Sequence, residues 1–267
     1  MSDNSSANKR LAKNTVFLYF RSIFLLLISL YTSRVTLKVL GVEDFGIYQV
    51  VGGVVAMFSI LSSTLASASQ RFITFALGEK DIEKLKKVFS TSLTLHIALG
   101  IILVALLELL GIWFLNTKVN IPSERLPIAG YVMHFSIATF FVRVISVPYN
   151  AVITAHEKMD AFAFISILEG VLKLGSVLLL SVVSWDKLLL YGVLQFVISL
   201  LLRSIYSIYS SKHFEEARNI TFRIDKPLFK EMFAFAAKLE TVTFGKNFNS
   251  SAKRKIYSFH LQLFKFE

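Results

Sequence analysis

The chain has 267 residues, 54% of them hydrophobic, a formal net charge of +11 and a mean hydropathy of +0.61. That much apolar surface cannot be hidden in the core of one soluble domain. The absence of cysteine excludes disulfides, thiolate nucleophiles and Cys-ligated metals, and the basic balance reads as loops beside anionic lipid, not as a nucleic-acid surface.

Six long apolar stretches follow a basic segment, 1–13, that carries Lys9, Arg10 and Lys13. A helix rises ~1.5 Å per residue, so about 20 residues cross a ~30 Å hydrocarbon core. The first stretch, Asn14–Val39, runs past Tyr31 and Thr32 without a small-x-small cleavage site, so it is read as a retained span and not a signal peptide. The second, Phe45–Leu77, has no charge in the 26 residues from Phe45 to Gln70. Its Gly52, Ala56, Ser59, Ser63 and Ser67 fall on one stripe, which is expected to allow close helix packing. The third and fourth spans are Val88–Leu115 and Leu126–Thr154; Pro148 is expected to kink the latter. The fifth, Ala161–Trp185, holds only Glu169 and Lys173 as charges, and the sixth is Leu188–Ser211. Short polar connectors make sequential helices antiparallel. The fold class is therefore all-α, a polytopic bundle of six transmembrane helices over 14–211.

Lys and Arg alternate by side. The N-terminal segment, the second loop (Lys80, Lys84, Lys86, Lys87), Lys158 and the stretch after the sixth span are basic. The opposite loops carry only Lys118, Arg125 and Lys187. The bias places both ends of the bundle in the cytoplasm. Residues 212–237 then form a cytoplasmic connector, and 238–267 an irregular basic tail with no seventh span.

Charges inside spans are costly and face a bundle interior or a cavity. Six basic residues qualify as candidates (Arg21, Arg34, Arg71, Arg143, Lys173, Arg203), against two acids, Glu108 and Glu169. Glu169 and Lys173 form an i,i+4 pair with the acid first, the favourable order. Arg21, Arg71 and Lys173 are expected to face one polar interior. The set expected to bind substrate is Arg21, Arg34, Arg71, Arg143, Lys173 and Glu169. An interior with this excess of cations attracts an anion; snorkelling and a structural ion pair are the competing readings of the individual residues. The five histidines are scattered, no zinc-protease spacing occurs, and no glycine loop of the Walker type is present. No catalytic residue, metal ligand or cofactor is assigned.

Several segments resemble a known family. They are Asn14-Thr-Val-Phe-Leu-Tyr-Phe-Arg21, Val39-Leu-Gly-Val-Glu-Asp-Phe-Gly-Ile-Tyr48, Ser69-Gln-Arg-Phe72, and Val147-Pro-Tyr-Asn-Ala151 leading into Ala155-His-Glu-Lys-Met159. Together they look like bacterial polysaccharide flippases of the multidrug, oligosaccharidyl-lipid and polysaccharide exporter superfamily. The resemblance runs from about residue 10 to Ala237. It implies flipping of a polyprenyl-diphosphate-linked oligosaccharide across the bacterial cytoplasmic membrane, a non-enzymatic role in surface polysaccharide biosynthesis. It also implies that basic residues of the first two helices, Arg21, Arg34 and Arg71, meet the diphosphate. A cation-coupled drug exporter of the same superfamily and a membrane-embedded glycosyltransferase or polymerase are the alternatives. The shortage of membrane acids speaks against the first, and the lack of an interfacial acid or His cluster against the second.

The chain departs from the family pattern in having one six-helix lobe where the family has two. Asp225–Ala237 looks like the approach to a second lobe, after which the apolar pattern stops. A shifted frame or a genuine short paralogue would each produce this, and the shifted frame is the favoured reading. The missing wall would come from a second lobe or from a homodimer.

Overall fold

The computed structural model describes residues 2–218 and 225–239. Among them there is no strand. The elements are α1 (Ser2–Gly78), α2 (Ile82–Thr117), α3 (Leu126–Ala155), α4 (Met159–Leu180) and α5 (Lys187–His213). A short 3-10 turn, Glu215–Ala217, and a helix over 226–239, here α6, follow. The first five are each long and apolar enough to cross a membrane.

α1 is continuous for 77 residues but not straight. Gly41 has φ 80 and ψ 172, the single residue inside it to leave helical geometry. A side chain is strained at that φ, whereas glycine lacks the Cβ that clashes. The sequence suggests a connector over Gly41–Asp44; the structure makes the same turn on one residue.

The packing shows what this turn does. Along the first arm of α1, Arg21 meets Phe162, Leu25 meets Gly170, and Leu40 clusters with Val177 and Leu180. The first arm therefore runs parallel to α4. Along the second arm, Ile47 and Val51 share a core with Leu103 and Leu107, Leu65 with Leu95, and Ile73 with Leu85 and Phe89. That arm runs antiparallel to α2. In turn α2 opposes α3, with Gly111 on Met133 and Phe89 on Tyr149. α3 is parallel to α5, through Val132 with Gly192 and Tyr149 with Arg203. α5 opposes α4, with Tyr191 clustered on Leu180 and Tyr206 beside Glu169. The two arms of α1 thus point in opposite directions, and the five helices make six alternating passes.

Other boundaries shift for local reasons. α2 begins at Ile82, because the Asp81 carboxylate caps it by accepting from the Lys84 N–H at 3.0 Å. α4 ends at Leu180, short of Trp185, and Asp186 caps α5 by accepting from the Leu189 N–H. α3 stays helical through Pro148.

The small-residue stripe of the second arm is not a packing seam within this chain. Ala56, Ser59, Ser63 and Ser67 are exposed, and a Cβ at Gly52 would meet nothing within 4 Å. The expectation of close packing is corrected: small side chains permit an approach but do not supply the partner. The close approach occurs elsewhere, at Gly170, where a Cβ would lie 2.9 Å from Leu25. Hydroxyls along the helices mostly donate to their own helix, as Ser22 does to Leu18 and Thr139 to Phe135. In hydrocarbon no water would satisfy them otherwise. Polar bonds that cross between helices include Ser92 to Ser69 at 2.7 Å and Gln195 to Ser176 at 3.2 Å.

α6 lies across the second arm and α2. Met232 and Ala236 are buried against Leu65, Ala68 and Leu95, and Phe235 stacks edge-on to Phe72. The Asp225 carboxylate caps it by accepting from the Leu228 N–H. The tail expected to be irregular lies outside the described residues from 240 onward.

Candidate functional site

Three adjoining cavities occupy the middle of the bundle. The first, about 400 Å³, is bounded by the first arm, α4 and the start of the second arm: Arg21, Thr32, Thr36, Tyr48, Gln49, Glu169, Lys173 and Tyr191 line it. The second, about 340 Å³, lies between the second arm, α3 and α5, with Tyr48, Gly52, Ser59, Thr139, Arg143 and Gln195 in its wall. The third, about 260 Å³, is lined by Arg143, Asn150, Glu169, Arg203 and Tyr206. Tyr48 borders the first two, Arg143 the second and third, and Glu169 the first and third.

Glu169 is the hub. Lys173 Nζ donates to its Oε1 at 2.6 Å, one helical turn along α4. Arg143 Nη2 approaches the same oxygen from α3 at 3.7 Å. The charge of Arg21 acts on Glu169 as well. Arg21 lies 4.6 Å over the Phe162 ring, and Arg203 lies 4.0 Å over the Tyr149 ring. Such stacking suits a weakly hydrated guanidinium in an apolar setting. It leaves donors unspent: Arg21 Nε and Arg203 Nη1 are buried and have no hydrogen-bond partner. Buried polar groups are nearly always paired, so these two donors are left wanting an acceptor. Three cations thus act on one carboxylate, and a fourth, Arg203, lines a cavity with it.

A neutral polar wall adjoins the charges. Tyr48 and Tyr191 lie 4.6 Å apart between ring centroids, and both line the first cavity with Thr36 of the first arm. Gln195 is buried beside them and reaches Ser176. This wall joins three passes, and no sequence spacing marks it.

Of the six residues expected from the sequence, the structure brings together Arg21, Arg143, Lys173 and Glu169. Arg71 lies apart, in a shallow depression with Ser67, Gln70 and Thr74, and it stacks 4.5 Å over Phe235 of α6. It does not share an interior with Arg21 and Lys173. The physical reason is its helix face: Arg71 is exposed, whereas its neighbour Ile73 faces the core. Arg34 is exposed and outside the three cavities. Arg203, left out of the expected set, is part of the cluster, and only its single intramembrane charge signalled it. Glu108 is accounted for by His134, whose Nδ1 is 2.8 Å from its Oε2. Among the described residues, no group of three His, Asp or Glu side chains could hold a metal ion.

One end of the bundle carries a second ion cluster that the sequence did not reveal. Arg125, just before α3, bonds to Asp186 at the start of α5 and, through Nη2 at 3.1 Å, to Asp44 beside the Gly41 turn. The guanidinium fork lets one side chain meet both carboxylates. It ties three connectors into one rim.

Alternating apolar passes around a cationic interior define a multi-pass membrane protein. A family model for MatE matches residues 18–176, more than half of the chain, and the chain belongs to the MatE family. Among solved structures it is similar to a MOP superfamily transporter from Pyrococcus furiosus, for which the reverse polarity of the binding pocket is said to suggest a different function. The TM-score is 0.67 at 13% identity, over 86% of this chain and 52% of that one. At this identity the likeness shows the fold alone. The chain spans about half the length of that transporter. No curated protein matches the chain.

Proposed function

We propose that this chain is one lobe of a carrier that moves a polyprenyl-diphosphate-linked oligosaccharide between the leaflets of a bacterial cytoplasmic membrane, with both ends of the bundle on the cytoplasmic side. One observation carries the reading: four cations converge on three linked cavities that hold a single carboxylate, and two of their buried guanidinium donors lack acceptors. A diphosphate supplies oxygen acceptors and charge together, and Arg forks match them. The Tyr48, Tyr191 and Gln195 wall offers hydrogen bonds and ring faces to the neutral sugar. Both parts of the ligand are too polar to cross lipid unaided. A second lobe, or a second copy, closes the cavity and gives it something to rock against.

The test is a binding competition with the chain in lipid nanodiscs. A fluorescent polyprenyl-diphosphate oligosaccharide should bind and be displaced by inorganic diphosphate, while a lipophilic cation should not compete. Binding of the cation and none of the diphosphate would replace this reading by that of a cation-coupled drug exporter.

A further inference from the structure

We infer that Glu169 is a tethered counter-anion, which holds the cation cluster while the site is empty and sets a threshold of charge that a ligand must exceed to displace it. The inference rests on the anion-site reading above and adds a specificity-determining residue to it.

The geometry separates two sets of donors. Lys173 and Arg143 both direct a nitrogen at one atom, Glu169 Oε1. Arg21 and Arg203 each keep a buried donor without an acceptor. Glu169 therefore engages half of the cluster and leaves the other half open. It borders both cavities that contain the open donors, the first with Arg21 and the third with Arg203. An anion in these cavities gains Arg21 and Arg203 without displacing a carboxylate bonded to them. To gain Lys173 and Arg143 it must compete with a carboxylate already in place.

That competition discriminates by charge. A monovalent anion offers no more than Glu169 does and gains only the open donors. A diphosphate carries more charge and enough oxygens to use the open donors and the Glu169 partners at once. The carboxylate has somewhere to go, because it is held from one helix by a flexible side chain and its Arg143 contact is half exposed. A purely structural ion pair behaves in the opposite way. Its loss lowers stability and acts on anions only through the field, which favours the more highly charged diphosphate and widens its preference over phosphate.

Isothermal titration of the purified chain in detergent decides the matter, with inorganic diphosphate and inorganic phosphate as probes. Glu169→Gln keeps the shape and removes the charge. It should bind diphosphate about tenfold more tightly and phosphate more tightly by a larger factor, so that the preference for diphosphate narrows. Glu169→Asp keeps the charge but withdraws it by one methylene, so it should show the same trend at about threefold and serves if the Gln variant fails to fold. Unchanged or weaker diphosphate binding by both variants, with wild type still binding and Arg21→Ala binding less, would overturn the counter-anion role and leave the anion site standing. Absence of diphosphate binding in wild type and in both Glu169 variants would overturn both.

Discussion

At the scale of single residues, the cavity depends on guanidinium groups held by rings. Phe162 and Tyr149 fix the planes of Arg21 and Arg203 without using their donors. Arg21→Lys should therefore be a poor replacement: an ammonium is strongly hydrated, stacks less well and cannot present a fork. We expect diphosphate affinity to fall about tenfold in Arg21→Lys, with little change in thermal midpoint, and titration of the purified variant checks this. Equal affinity would show that Arg21 contributes charge alone. Gly41 acts through backbone geometry. Gly41→Ala places a Cβ at φ 80, which should cost about 1–2 kcal/mol and lower the unfolding midpoint in detergent. Because nothing lies within 4 Å of that Cβ, a drop would report backbone strain and not a clash.

At the scale of elements, the rim around Arg125 shows why some of the molecule was legible in the sequence and some was not. Helix lengths and their alternation follow from apolar run length, which is a local property. The turn at Gly41 was visible because glycine beside acidic residues marks a break. Arg125, Asp44 and Asp186 are separated by 61 residues or more in the chain, and nothing local says that they meet. The same limit explains the site. Glu169 and Lys173 were recognisable one turn apart on α4, but the approach of Arg143 and Arg203, and the exclusion of Arg71, are decided by helix rotation. The stripe from Gly52 to Ser67 has the composition of a seam, but helix rotation leaves Ala56, Ser59, Ser63 and Ser67 exposed. Arg125→Ala should strand the buried Asp44 carboxylate and cost about 1–3 kcal/mol. Adding Asp44→Asn to Arg125→Ala should recover part of that loss in a thermal-unfolding double-mutant cycle. Strictly additive losses would mean that the rim carries no coupling.

At the scale of the whole molecule, topology governs function. Six alternating passes put residues 43 and 118 on one side and residues 84 and 158 on the other. Single cysteines at Glu43, Lys84, Lys118 and Lys158 can be introduced freely, because the chain has none. An impermeant thiol reagent added outside intact cells should label the first side only, as the distribution of Lys and Arg requires. The opposite labelling would invert the orientation. On the proposal that these residues act as one lobe of a carrier, in proteoliposomes they should bind the ligand without moving it between leaflets faster than the protein-free rate. Transfer above that rate, together with a dimer under the same conditions, would show that a second copy supplies the opposite wall. The central claim is that the converging cations hold the diphosphate. Its most direct measure is the affinity of the nanodisc-embedded chain for a fluorescent polyprenyl-diphosphate oligosaccharide, compared with that of the Arg21→Ala, Arg203→Ala double variant. Affinity should fall about a hundredfold, roughly tenfold for each guanidinium, in a protein that remains folded. Unchanged affinity in the double variant would contradict the claim.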